Sequence, residues 1–101
     1  FVNLAGGMIQ NGYTIKLQNR ERAAASLAFS VENLPGAQIE IVGHTRGDLV
    51  LDIGPDTVAS FRVLVRAPRT ALKSDSTPIV MKIKDRDREA DADASFRGPA
   101  R

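Results

Sequence analysis

The chain is 101 residues long and 43% hydrophobic, which suffices for one domain with a single core and excludes a second domain. Its 14 basic and 12 acidic residues give a formal net charge of +2, which argues against a nucleic-acid-binding surface. The absence of cysteine excludes disulfides, thiolate zinc sites and iron–sulfur ligation within the chain, and no apolar run approaches the ~20 residues that cross a bilayer. Because the first residue is Phe1 rather than methionine, we expect the chain to be a piece of a longer protein.

Alternation of apolar and polar residues predicts a series of β-strands along the chain. In the first long strand, Ile9, Tyr13 and Ile15 take odd positions, while polar residues take even ones. Turn-forming residues separate the strands, as in NLPG at 33–36 and GPD at 54–56. The predicted strands cover residues 1–4, 9–17, 23–32, 38–42, 48–53, 57–66 and 77–86.

This pattern of about seven short strands, with no helical period, favours an all-β fold. We predict an immunoglobulin-like antiparallel β-sandwich without a disulfide, covering residues 1–87. Residues 88–101 are expected to form an acidic, flexible C-terminal tail, in which Phe96 either docks back on the sandwich or lies in solvent. Sandwiches of this kind serve many unrelated functions, so the predicted fold does not identify an activity.

The stretch DRDREADADASF, from Asp85 to Phe96, places acidic residues at every second position and raises the possibility of a calcium-binding loop. An EF-hand loop needs glycine at its sixth position and a bidentate glutamate at its twelfth. Here these positions hold Ala90 and Phe96, and no flanking helix is predicted. We therefore interpret the stretch as the end of the last strand followed by a solvated tail.

Candidate metal ligands are few, because the chain contains one histidine and two methionines. His44 lies in a predicted loop and Met8 precedes the first long strand, which makes them weak candidates for a copper site. Met81 has the inward parity of the last predicted strand and is expected to fill the core. Direct copper binding through His44 and the methionines therefore stays open as an alternative function.

The sequence contains no recognisable catalytic or phosphate-binding motif. We therefore expect this domain not to be an enzyme and to carry no catalytic or cofactor-binding residue. The tripeptide Arg46-Gly47-Asp48 matches a sequence read by some adhesion receptors, so a generic extracellular adhesion module is a further alternative. The same residue types are also common in ordinary turns.

Outward-facing basic residues on two predicted strands define a candidate interaction face. If the last two strands of the sandwich pair, the outward residues of 57–66 and 77–86 share one sheet face. That face would be basic with an exposed leucine at its centre, and it would suit an acidic protein surface or anionic lipid headgroups. The alternative is an ordinary solvated strand face that discourages edge pairing. The six residues are Arg62, Leu64, Arg66, Lys82, Lys84 and Arg86.

The block from Gly7 to Asn19 reads GMIQNGYTIKLQN, and four shorter blocks follow it along the chain. Together these blocks resemble the C-terminal immunoglobulin-like domain of FixG-type cytochrome c oxidase accessory proteins. That domain opens with the pattern G-x-I-R-N-x-Y-x-x-K-x-x-N, and Gln10 stands in place of its usual arginine. Later blocks follow in the same order, so the resemblance spans nearly the whole chain. They are LPGA at 34–37, RVLVRAP at 62–68, TPI at 77–79 and FRGP at 96–99.

The resemblance implies that the longer protein is a multi-spanning bacterial inner-membrane protein with two 4Fe-4S clusters. It further implies a role in maturing a high-affinity haem-copper oxidase through copper handling, with this domain facing the periplasm. Since this chain has no cysteine, the clusters would lie elsewhere in the longer protein. We therefore predict a non-catalytic interaction or scaffolding domain. Its partner would be an oxidase subunit, an assembly factor or the rest of the longer protein.

Five positions that match the family pattern are expected to have structural roles. Asn11 and Asn19 are expected to bond backbone groups at strand ends, and Tyr13 is expected to be a core or corner residue. Gly36 and Gly98 are expected to form turns.

Overall fold

In a computed structural model of the chain, the segments of alternating apolar and polar residues form β-strands. Regular structure in its described part consists of eight strands and two short 3-10 helices, at Ala5–Gly7 and Arg69–Ala71. Neither helix is long and apolar enough to span a membrane. The structure describes residues 1–43, 49–72, 74–85 and 88–98. The strands are β1 (Val2–Leu4), β2 (Met8–Asn19), β3 (Ala25–Glu32), β4 (Gln38–Ile41), β5 (Val50–Ile53), β6 (Thr57–Pro68), β7 (Ser76–Asp85) and β8 (Arg88–Arg97).

The strands form two four-stranded sheets, and every strand pairing is antiparallel. Sheet A has the order β1-β2-β6-β4, and sheet B has the order β5-β3-β7-β8. The chain passes from sheet A to sheet B between β6 and β7, so these consecutive strands do not pair. The predicted immunoglobulin-like β-sandwich is confirmed, with eight strands in the described residues where about seven were expected.

The core between the sheets is built from the inward positions of strands in both sheets. Its largest fully buried side chains are aliphatic apart from one phenylalanine, in a chain with no tryptophan and no cysteine. Each contributes about 1.5–3 kcal/mol through removal of apolar surface from water. The period-two prediction therefore assigned the inward faces of β2, β6 and β7 correctly. These fully buried residues are Ile9, Leu51, Val63, Val65, Ile79 and Phe96.

The predicted boundary at residue 87 is wrong, because residues 88–97 form strand β8 of the sandwich. This strand pairs with β7 along its whole length, from Asp85 opposite Arg88 to Ser76 opposite Arg97. Phe96 lies on its inward face and is fully buried, so the alternative in which Phe96 docks on the sandwich is the correct one. The acidic alternation is itself a period-two strand pattern, with acids outward and small or apolar residues inward.

The geometry of β8 also disfavours the calcium interpretation of DRDREADADASF. Glu89, Asp91 and Asp93 are exposed and lie on one face of an extended strand. Alternate residues of a strand lie about 7 Å apart, so these carboxylates do not wrap around a point as in a calcium loop. Within the described residues, no group of three or more histidine, cysteine, aspartate or glutamate side chains could hold a metal ion.

Asn19 ends β2 and fixes the loop that follows it, as expected for a strand-end residue. Its buried carboxamide donates to the carbonyls of Ala23 at 2.9 Å and Gly54 at 3.0 Å. Its Oδ1 accepts the backbone N–H of Glu21 at 3.0 Å. One side chain therefore satisfies three backbone groups at one end of the sandwich.

The two glycines of the family pattern have different roles. Gly36 has a φ of 73°, a left-handed conformation that glycine adopts readily, so its predicted role in a turn is confirmed. Gly98 is buried and has no left-handed φ. A Cβ at this position would overlap Leu72 Cδ1. Glycine at this position therefore allows close packing against Leu72. The predicted turn at Gly98 would run into residues 99–101, which lie outside the described residues.

Candidate functional site

The predicted basic face does not exist as a single surface. Arg62, Leu64 and Arg66 lie on β6 in sheet A, whereas Lys82 and Lys84 lie on β7 in sheet B. The rule that the last two strands pair does hold, but those strands are β7 and β8. The sixth predicted residue, Arg86, lies outside the described residues.

The outer face of sheet B is acidic around its lysines. Lys82 Nζ lies 3.0 Å from Glu89 Oε1 and 3.3 Å from Glu32 Oε1, so carboxylates of two neighbouring strands compensate its charge. The hydrogen bond to Glu89, followed by that to Glu32, raises the pKa of Lys82. The hydrogen bond from Lys82 in turn lowers the pKa of Glu89. The outward acidic residues described on this face are Glu32, Asp52, Glu89, Asp91 and Asp93, and the basic ones are Lys82, Lys84 and Arg97.

On the outer face of sheet A, Arg66 bridges three strands. Its Nε donates to Gln10 Oε1 at 2.8 Å, and its Nη2 lies 2.9 Å from Glu40 Oε1. Gln10, Arg66 and Gln38 occupy one row across β2, β6 and β4. Arg66 therefore acts mainly within its own sheet, because Glu40 compensates its charge.

Arg62 has a different environment, although it is on the same strand and face as Arg66. Its guanidinium lies over Gly12 of β2, where a Cβ would overlap it. Within the described residues it has no carboxylate partner. Half-buried Leu64 lies opposite Gly12 in the same register. Glycine thus leaves room for the guanidinium of Arg62 on the same sheet face as an apolar side chain.

The two outer faces of the sandwich differ in charge as a result. The strands of sheet A carry Lys16, Arg62 and Arg66 against one acidic residue, Glu40. Those of sheet B carry more acidic than basic residues on their outer face. A basic patch that faces solvent on one side only can orient the domain toward an acidic surface.

A second distinctive surface is the side of the sandwich where β2 faces β8. At one end, Asn11 of β2 bonds both backbone groups of Arg97 on β8, donating to its carbonyl at 2.8 Å and accepting its N–H at 2.9 Å. The Tyr13 hydroxyl donates to the carbonyl of Ser95 at 2.7 Å. Burial raises the pKa of Tyr13 to about 12. These bonds join the two sheets directly.

Beyond Tyr13, no hydrogen bond joins β2 to β8 within the described residues, and an apolar groove opens between the two strands. It has a cavity volume of about 300 Å³ and continues into a second cavity of about 300 Å³ that shares Leu17, Ile83 and Ala90. Ala90 and Ala92 are exposed, although they have the inward parity of β8. The main apolar side chains of the first cavity are Ile15, Leu17, Phe29, Met81, Ile83 and Ala92.

The weak metal candidates are not brought together in the described residues. Met8 lies on the outward face of β2 in sheet A, while Met81 packs against the core from β7 in sheet B. His44 and the tripeptide Arg46-Gly47-Asp48 lie outside the described residues. Iron–sulfur clusters do not fit this chain either, because their usual ligands are cysteine thiolates and the chain has no cysteine.

The sequence interpretation missed the joining of β2 to β8. Asn11 was expected to bond backbone groups at a strand end, and it does so at Arg97, the last residue of β8. The sequence did not indicate that this strand end lies 86 residues away. The available signal was the odd parity of Asn11, which places a polar side chain among the inward residues of β2. A buried amide in that position must find partners, and the edge of β8 supplies them.

Comparisons with known proteins agree with this architecture. A protein-family model described as "IG-like fold at C-terminal of FixG, putative oxidoreductase" matches residues 1–99. The nitrogen fixation protein FixG of Rhizobium meliloti (strain 1021) is 29% identical over 72 residues, which cover 68% of this chain and 14% of that protein. The crystal structure of a FixG-related protein from Vibrio parahaemolyticus aligns with a TM-score of 0.77 at 18% identity, covering 90% of this chain and 80% of that one. The chain belongs to the family of FixG C-terminal immunoglobulin-like domains.

Proposed function

We propose that the chain is a non-catalytic periplasmic interaction domain of a membrane-bound iron–sulfur accessory protein. That protein would assist the assembly, or the copper supply, of a high-affinity haem-copper cytochrome oxidase. Membership of the FixG family supports the proposal, because this is the role that the sequence resemblance implies. The 4Fe-4S clusters would be bound by other parts of the longer protein, since the domain has no cysteine ligand to offer.

The observation that carries the proposal is the unpaired guanidinium of Arg62 on the outer face of sheet A. A charge that no carboxylate among the described residues compensates is available to a partner, whereas Arg66 and Lys82 are already ion-paired. Leu64 beside it supplies apolar contact area. An arginine next to a leucine on a flat sheet face is suited to an acidic protein surface.

The partner on this face would be an acidic patch on an oxidase subunit, an assembly factor or the remainder of the longer protein. Anionic lipid is a weaker candidate partner than the sequence alone suggested. The lysines of β7 that would have enlarged the basic face lie in sheet B, on an outer face with more acidic than basic residues.

The test is an amide NMR titration of the labelled domain with two detergent-solubilised samples, the oxidase and the remainder of the longer protein. We expect shifts centred on Gly12, Arg62 and Leu64 with one of them. The Arg62→Glu variant should bind about tenfold more weakly, because charge reversal places like charges together. Lys84→Glu makes the same charge change in sheet B and should leave binding unchanged.

A second variant distinguishes the effect of the position of the Arg62 guanidinium from the effect of its charge. Gly12→Ala places a Cβ where the guanidinium lies, so it should displace Arg62 while every charge is kept. We expect weaker binding in this variant as well. Binding that survives both Arg62→Glu and Gly12→Ala would contradict the proposed surface. A parallel titration with anionic vesicles tests the lipid alternative, which would be favoured if the shifts appeared with the vesicles only.

A further inference from the structure

The free edge of β8 is a different surface from the face that carries the proposed function. In sheet A, β1 pairs only with Met8–Gln10 of β2, so in the described part of the chain β2 has no further neighbouring strand on that side from Asn11 onward. In sheet B, β8 is the last strand and pairs only with β7. Two strand edges therefore flank the open side of the sandwich.

The bonds of Asn11 and Tyr13 show which backbone groups of β8 point to this side. Both backbone groups of Arg97 and the carbonyl of Ser95 are directed away from β7, toward β2. The N–H of Gly98 points the other way and bonds Asp75 on the β7 side. Because backbone directions alternate along an antiparallel strand, odd-numbered residues of β8 direct their backbone groups away from β7.

The same alternation assigns the N–H and C=O groups of Glu89, Asp91 and Asp93 to the open side. Within the described residues, no strand pairs with them there. Asn11 already imitates a neighbouring strand at Arg97, so this edge accepts strand-like hydrogen bonding where a partner is present. The unpaired part spans about 17 Å, which is the length of a strand of about five residues.

The groove beside this edge supplies the second half of a strand-binding site. The inward side chains of β8 here are only Ala90 and Ala92, so Ile15, Leu17 and Ile83 remain half-buried. If the edge of β8 were only protected against pairing with other strands, its outward charged side chains would be sufficient. The open apolar groove of about 300 Å³ behind the edge does not serve that purpose, and alternate side chains of an added strand would fill it.

Charge specifies the occupant. An added strand would place its outward side chains beside Glu89, Asp91 and Asp93, and opposite charges in such cross-strand pairs are stabilising. Strand β7 already meets this requirement on the other side of β8, with Lys82 opposite Asp91 and Lys84 opposite Glu89. A second copy of β8 would instead bring carboxylates together, which disfavours a homodimer through this edge.

We propose that the β8 edge from Glu89 to Asp93 binds an extended segment of a partner protein by strand addition. The segment alternates basic side chains, which lie beside the acidic residues of β8, with apolar side chains, which enter the groove. It therefore has the same chemical pattern as β7. Neither Arg62 nor the outer face of sheet A takes part.

The test uses the short synthetic peptide TKIKVKT, capped at both ends, with two control peptides. TEIEVET keeps the alternation and reverses the charge, and TKKIVKT keeps the composition and breaks the alternation. In an NMR titration of the domain, we expect TKIKVKT to bind about tenfold more tightly than either control. The amides of Glu89, Asp91 and Asp93 should become protected from hydrogen exchange.

Variants at Asp91 locate the site. Asp91→Pro removes an N–H that points to the open side, and an edge strand tolerates proline, so we expect binding to weaken about tenfold. If that variant does not fold, Asp91→Lys tests the same contact through charge. Asp56→Asn removes an acidic residue in a distant turn and should change nothing.

Three results would overturn the strand-addition proposal. The first is equal binding of all three peptides, and the second is binding of TKIKVKT without protection of the β8 amides. The third is a dimer of the domain whose contacts map to β8. None of these results bears on Arg62, so they would leave the proposed function to its own test.

Discussion

The side-chain amide of Asn11 pairs with the backbone of Arg97 as a neighbouring strand would. Nδ2 donates to the Arg97 carbonyl at 2.8 Å, and Oδ1 accepts the Arg97 N–H at 2.9 Å. One partner lies in sheet A and the other in sheet B, so the pair holds the edges of the two sheets together. It also satisfies two polar groups next to the buried Phe96.

Removal of this amide should destabilise the domain. We expect Asn11→Ala to lower the free energy of unfolding by about 1–3 kcal/mol, because it leaves both backbone groups of Arg97 without their partner. Urea denaturation measures the change. Gln18→Ala, at an exposed position of the same strand, is the matched control. A loss no larger than that of the control would show that Asn11 does not join the sheets.

The pKa of Tyr13 gives the domain a specific alkaline response. Burial raises that pKa to about 12 from 10.0, so folding favours the neutral phenol. The corresponding stability is fully present below pH 10.0 and is lost as the pH rises toward about 12. The chain has one tyrosine and no tryptophan, so ultraviolet absorbance reports this group alone. Ionisation of Tyr13 in the folded domain near its ordinary pKa would contradict the burial of its hydroxyl.

Gly98 is expected to tolerate no larger residue. In Gly98→Ala the new Cβ would overlap Leu72 Cδ1, so the core must shift, and we expect a loss of about 1–3 kcal/mol of stability. Gly54→Ala is the control, because its nearest neighbour is Thr57 Oγ1 at 3.5 Å and its φ is ordinary. Thermal unfolding measures the melting temperatures of the two variants. Equal melting temperatures would exclude the packing role.

Phe96 should be among the most important core residues, although it follows the acidic stretch. It is fully buried, and Phe96→Ala should cost about 3–5 kcal/mol through the cavity it leaves. Phe1→Ala removes the same side chain from a site that is 58% exposed and should cost little. Chemical denaturation distinguishes the two. If both variants kept the stability of the original chain, Phe96 would not be part of the core.

The period-two pattern predicted most strands because their inward residues are large and their outward residues are polar. In β6, Val63 and Val65 are buried while Arg62 is exposed, as the alternation indicates. Strand β8 was missed because its inward positions start with Ala90 and Ala92, which are too small to mark an apolar face. Its outward acids were taken for solvated tail residues. The alternation was present, and Phe96 was the apolar residue that completed it.

The candidate surfaces were less predictable, because they depend on which sheet each strand joins. Arg62 and Lys82 have the same outward parity, and the local sequence does not show that one lies in sheet A and the other in sheet B. The position of the Arg62 guanidinium depends on Gly12, which is 50 positions away in sequence. The groove likewise depends on the approach of β2 to β8, a contact between distant parts of the chain.

Backbone amide exchange along β8 is the most direct test of the claim that this strand completes the sandwich and leaves one edge unpaired. We predict protected amides at Ala90, Ala92 and Ala94, whose N–H groups face β7, and rapid exchange at Glu89, Asp91 and Asp93, whose N–H groups face the open side. Rapid exchange at all residues from 88 to 98 would contradict the claim and would restore the flexible tail.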